Sequence, residues 1–203
     1  MRYRFLVETY ATERIKVASV WTEFREEHLE IRPKADDARG RSVREQMVHQ
    51  CVSEDLWFRT MLKIDVGAPP LPKEERRNDF IRQYLEDSAK RLKVLEGKDE
   101  VWWESETMFF DVKRTMAWVM TRRIAHTAHH RGQQMAMLRM LGRDLHSNYG
   151  PTADTGGLMQ NHAPTIYAYD GEGELRADLE QGRAKRELPG GGEKAVTERP
   201  SGS

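Results

Sequence analysis

The sequence predicts an all-α protein, a four-helix bundle with an irregular C-terminal extension. Three observations predict it. Apolar residues recur at helical spacing through the first two thirds of the chain. A Ser-x-x-Glu capping box opens the second helical stretch at Ser42 and Glu45. After Gly142 the texture changes to Gly, Pro, Asn and Thr with no helical period.

The first helix is expected over 12–31, where Val17, Val20, Trp21, Phe24 and His28 fall on one face and Pro33 ends the run. The second is expected over 43–63, opened by Ser42. Gly67, Pro69, Pro70 and Pro72 make residues 66–77 a loop. A third fits 79–95, carrying Phe80, Tyr84 and Leu92 along one side and stopping at Gly97. Residues 101–110, rich in aromatics, read as an extended or irregular connector. Asp111 is the expected N-cap of a long fourth helix that stops at Gly142, with a kink near Gly132.

This divides the chain into a helical bundle over 1–145, an irregular segment over 146–169 and a tail over 170–203. In the tail 14 of 34 residues are charged, 7 are Gly and none is aromatic, so most of it is expected to stay disordered. Residues 175–186 have helical composition within it, suited to a short helix against a partner.

Composition excludes several classes. The 203 residues carry 33 basic and 33 acidic side chains, and a nucleic-acid partner normally demands a basic excess. No run approaches the roughly 18 apolar residues of a membrane span. With one cysteine, Cys51, no internal disulfide is possible, and the opening residues do not read as a signal peptide. A cytoplasmic location is the expectation.

Chemistry points to the seven histidines. His126 and His130 are an i, i+4 pair on the fourth helix, a spacing at which two rings chelate one ion. Thr127 stands where a zincin peptidase needs glutamate, which argues against that class. On spacing alone His129 competes for the same role. A third ligand must come from another helix. His49 is the best candidate and His28 the runner-up. His146 and His162 lie in the irregular region. Cys51, two residues from His49, points to the other side of its helix and reads as core.

The string His126-Thr-Ala-His-His130-Arg131-Gly132-Gln133, running into an apolar stretch that ends at Leu141-Gly142, resembles the signature helix of the DinB/YfiT-like superfamily. The segment Ser42-Val-Arg-Glu-Gln-Met-Val-His49 is similar to that family's capped second helix, which ends on a metal-binding histidine. The resemblance spans about residues 10–145. It implies a four-helix bundle, often dimeric, with a divalent metal ion, zinc or nickel first, held by His49, His126 and His130. It reduces His129 to a neighbour and His28 to packing, and makes Arg131 and Gly132 structural, with Gly132 allowing close helix approach. Residues 149–157 follow the metal helix and are expected near the site mouth.

Three imidazoles leave the ion its full charge, so a bound water or thiol would lose its proton readily. The resemblance therefore implies thiol-dependent S-transferase chemistry with a small-molecule thiol and an electrophile as partners. No side chain stands out as a general base. A metal-dependent hydrolase and a non-catalytic dimeric bundle are the alternatives.

Overall fold

The computed structural model describes residues 2–182, 184–191 and 197. It is mostly helical. The chain divides into two units, Met1–Gln134 and Met135–Ser203, with the boundary inside its longest helix.

In the first unit, α1 covers Arg4–Glu23. It starts earlier than the sequence suggested because Leu6, Val7 and Tyr10 continue the buried face of Val17, Val20 and Trp21. It also ends earlier: Phe24 turns extended, and His28 sits in a separate 3-10 turn over Glu26–His28. α2 spans Val43–Leu56. Its capping box is complete, with Ser42 Oγ accepting the Glu45 N–H at 3.2 Å and Glu45 Oε2 accepting the Ser42 N–H at 2.8 Å. The helix widens into a π turn over Trp57–Met61, in which the Leu62 N–H reaches back to the Trp57 carbonyl. α3 covers Arg77–Glu96, ends at Gly97 as expected, and packs along α1.

The aromatic connector, expected to be extended or irregular, has regular structure. It comprises a short helix, α4 (Glu100–Glu104), capped by Asp99, and an antiparallel hairpin of β1 (Glu106–Phe109) and β2 (Val112–Thr115). Phe109 pairs with Val112, so Phe110 and Asp111 form a two-residue turn and Phe110 takes the left-handed φ of 53°. Asp111 is thus a turn residue and not the N-cap of the last long helix. That helix, α5, covers Met116–Met140, and Thr115 Oγ1 accepts the Trp118 N–H at its start. α5 runs through Gly132 as one α-helix. A Cβ there would meet nothing within 4 Å, so this glycine does not mark the close approach the motif implied.

The core of the first unit gathers Leu6, Val7 and Tyr10 of α1, Trp57, Phe58 and Met61 of the π turn, Leu95 of α3, Trp103 of α4, and Met116, Val119 and Met120 of α5. Buried polar ties cross it. Trp21 Nε1 donates to Gln134 Oε1 at 3.1 Å, and Arg131 pairs with Glu13 at 2.5 Å. Glu54 is fully buried. It accepts the hydroxyls of Tyr10 at 2.7 Å and Tyr84 at 3.2 Å, and Arg91 lies 3.4 Å away.

In the second unit α5 finishes with Gly142 at a positive φ of 65°, the Arg143 N–H closing on the Leu138 carbonyl. The following segment has no helix beyond two 3-10 turns. It is pinned by Asp154, whose Oδ2 accepts the Leu145 N–H at 2.7 Å and pairs with Arg139 at 2.6 Å. Part of the tail, most of it expected to stay disordered, is helical: α6 covers Glu172–Gln181, overlapping the 175–186 stretch whose composition suited a short helix but starting and ending earlier. Composition counted its charges but not their register. Glu172 and Arg176 pair at i, i+4, Asp178 takes the Tyr169 hydroxyl at 2.5 Å, Leu175 is fully buried, and Gly182 closes the helix in the left-handed region. The remainder of that expectation, at 183, 192–196 and 198–203, lies outside the described residues. No helix among the described residues is long and apolar enough to cross a membrane.

Candidate metal centre

α2 and α5 meet through polar side chains as well as apolar ones, and three of these are histidines. His49 stands on α2, two turns after the capping box. His126 and His130 stand one turn apart on α5. One ring nitrogen from each can be chosen such that all three lie within 4.8 Å of one another. The His49 ring centroid is 4.5 Å from that of His130 and 5.3 Å from that of His126. His126 Nε2 and His130 Nε2 are 3.2 Å apart. Two nitrogens bound to one tetrahedral zinc, each roughly 2.0–2.1 Å from it, stand about 3.3 Å apart. The donor set and its spacing fit a divalent ion.

The orientation of His130 is set by amides. Its Nδ1 lies 3.1 Å from Gln46 Oε1 and 2.9 Å from Gln133 Oε1. Both are acceptors, so the proton sits on Nδ1 and the Nε2 lone pair faces His126. Gln46 Nε2 donates to Gln133 Oε1 at 3.2 Å, and Gln133 Nε2 donates to His129 Nε2 at 3.1 Å. His129 is exposed and bonds to this amide chain; its ring meets that of His130 edge-on at 4.9 Å but is not one of the three clustered donors.

The rings are held neutral. Burial lowers the His126 pKa to about 3, with the Arg123 charge the next cause. Burial and the neighbouring His49 lower that of His130 to about 4. Burial, then Arg41 and Arg123, lower that of His49. A metal ligand must be unprotonated; His126 and His130 meet that condition well below neutral pH, and His49 is shifted in the same direction.

Beneath the cluster lies Trp57, its ring 5.4 Å from that of His126. Phe109 and Phe110 of the hairpin meet the same indole edge-on at 5.2 and 6.4 Å. The Arg123 guanidinium lies over the Trp57 ring at 5.4 Å.

The other sequence candidates fall elsewhere. His28 is buried in its 3-10 turn, where Nδ1 accepts the Arg25 N–H at 3.1 Å. Cys51 is buried, which pushes its thiol pKa far up, so it is a core residue and not a thiolate. His146 Nε2 faces the Arg186 carbonyl at 2.8 Å. His162 caps a 3-10 turn with a positive φ. Sequence reasoning passed over Gln46, Trp57 and Arg123. Arg123 precedes His126 by three residues and so shares its helical face, a signal that was available.

A family model described as the DinB family matches residues 4–157. Among solved structures, the chain is similar to a DinB-like protein from Bacillus cereus ATCC 10987, with a TM-score of 0.61 and 14% identity over 71% of this chain and 95% of that one. It is also similar to a DinB-like protein from Bacillus subtilis, with a TM-score of 0.56 and 18% identity over 68% of this chain and 92% of that one. At these identities the likeness concerns the fold. No curated protein matches the chain.

Proposed function

The chain belongs to the DinB family, and from that premise we propose that it is a divalent-metal-dependent enzyme of the thiol-transfer type, its ion held by His49, His126 and His130. One observation carries the reading: three imidazoles from two helices converge to within 4.8 Å with their lone pairs free of protons. A bound divalent ion supplies Lewis acidity, which makes a thiol or a water a stronger nucleophile at neutral pH.

The chain's own residues prepare that step. Gln46 and Gln133 fix the tautomer of His130 and hold its ring. Trp57 packs against one side of the His126 ring. His49 and His126 are only half-buried, which leaves the cluster open to a small molecule. The histidines bring no negative charge, so the ion keeps its full charge for the reacting group. Thiol transfer is favoured over hydrolysis on the family resemblance alone, and zinc and nickel suit imidazole equally.

Elemental analysis of the natively purified protein tests the metal. About one zinc or nickel per chain is expected, and a protein that neither carries nor recruits a divalent ion overturns the reading. A screen of low-molecular-weight thiols against electrophiles tests the chemistry, with thiol consumption expected only in the metal-loaded form. Ester or amide turnover without thiol would replace transfer by hydrolysis.

A further inference from the structure

Arg123 is a buried cation with no carboxylate within ion-pairing distance among the described residues. Its side chain is 1% exposed. Nε and Nη2 donate to Thr127 Oγ1 at 3.3 and 2.9 Å, and Nη1 donates to Ser53 Oγ at 3.1 Å. A guanidinium has five N–H groups, so these bonds use three and leave two. The other interaction is with the Trp57 face. Hydroxyls and an indole solvate the cation but do not neutralise it. The neighbouring buried arginines are different: Arg91 has Glu54 and Asp55, and Arg131 has Glu13.

A lone charge in this position is costly, and a folded chain normally supplies its counter-charge. Here none stands within ion-pairing distance among the described residues, yet the charge lies beside the histidine cluster. Arg123 is one turn before His126 on α5, and both side chains pack on Trp57. Of the charges acting on His126, that of Arg123 is the largest. The three neutral imidazoles bring no charge, so Arg123 and, at His49, Arg41 place the site in a positive field before any ion enters.

We propose that Arg123 makes the three-histidine site anion-selecting, so that the ligand it takes is anionic where it reaches the histidines, a carboxylate or another monoanionic group, and neutral groups are disfavoured. The proposal rests on the metal reading above. It gives the unpaired guanidinium its counter-charge from the ligand. Arg123 is a positioning residue here: it acts through the field at the site.

The test uses the cobalt(II)-loaded full chain, whose visible spectrum reports ligand exchange. Azide serves as the anionic probe and imidazole as the neutral one. In the wild type azide should bind more tightly than imidazole. In Arg123→Gln the azide dissociation constant should rise about tenfold while that for imidazole stays within twofold. Cobalt itself should bind several-fold more tightly, because a like charge has been removed. A merely structural Arg123 predicts the opposite, weaker cobalt binding with no change in the azide-to-imidazole ratio, and that result overturns the proposal. Arg123→Lys should retain most of the azide preference, and its loss there to the same extent as in Arg123→Gln also overturns it. Should Arg123→Gln fail to fold, the wild type and Arg123→Lys decide between them, since imidazole outcompeting azide in either overturns the proposal. Failure of the wild type to take up cobalt is a separate result, and it strikes the metal reading itself.

Discussion

His126 Nε2 and His130 Nε2 face each other at 3.2 Å across one turn of α5. Neither ring is protonated at neutral pH, so a single proton shared between the two nitrogens, or an ion between them, must satisfy both lone pairs. His49 closes the third side. The pair is therefore the part of the molecule most sensitive to what occupies the site.

Replacing His126 or His130 by Ala should abolish stoichiometric metal binding, as should His49→Ala. His129→Ala should leave it intact, because His129 bonds to Gln133 instead of joining the cluster. Titration calorimetry of the four variants with zinc checks this. Retention of full affinity in His126→Ala would show that the ion, if any, is held elsewhere.

Gln46 is buried on α2 and accepts from His130 Nδ1. Outer-shell partners of this kind are worth about 10–100-fold in metal affinity. Gln133 shares the same proton, so Gln46→Ala should fall at the low end of that range, and the double variant with Gln133→Ala at the high end. Competition with a chromogenic chelator gives the numbers, and equal affinities in all three proteins would refute the orienting role.

Glu54 lies one turn beyond Cys51 and is fully buried, with Tyr10 from α1, Tyr84 and Arg91 from α3 converging on it. Breaking a buried pair on one side typically costs about 3–5 kcal/mol. Asp55 also pairs with Arg91, so Glu54→Ala should sit near the lower bound. Urea denaturation of the metal-free protein measures it. A loss under about 1 kcal/mol would mean the cluster relaxes or hydrates.

The helical plan was readable because capping and punctuation are local. Ser42 and Glu45 bond as their spacing says, and Gly97 and Gly142 stop their helices. The hairpin was not readable: four-residue strands give too short a run for period-two alternation, and Phe110 at a left-handed turn contradicts its own preference. The histidine pair announced itself by i, i+4 spacing. Its link to His49 depended on tertiary packing, and the motif resemblance supplied it. Arg123 shares the helical face of His126, but an arginine reads as surface until its burial is known.

Leu175 carries a similar lesson for α6. Charge density argued for disorder in most of the tail while 175–186 had helical composition, and one buried leucine and the Tyr169–Asp178 hydrogen bond anchor the helix that forms. Hydrogen exchange should show protected amides within Glu172–Gln181, and Leu175→Ala should remove that protection. A large-to-small change at a buried leucine costs about 2–5 kcal/mol, more than an isolated ten-residue helix can absorb. Exchange at unprotected rates in the wild type would return this segment to the disordered class.

The acid limb of stability should belong to the same histidines. The folded pKa values of His126 and His130 are lowered to about 3 and about 4, and the unfolded chain returns both toward about 6.5. Between these limits the unfolded state binds more protons than the folded one, so stability falls as pH falls. The sign is opposite to that of a histidine stabilised by a carboxylate, whose contribution grows on acidification. The metal-free protein should therefore be near its full stability above about pH 7, lose it steadily below about pH 6.5, lose it more slowly near pH 4 as His130 protonates in the folded state, and level off only below about pH 3, where His126 follows. A bound ion steepens the loss, since it too requires neutral rings and leaves with their protonation. Thermal melts from pH 7.5 to 5 should show a smaller decline in the double variant His126→Gln with His130→Gln than in the wild type. Parallel declines in the two proteins would assign the acid sensitivity to other groups.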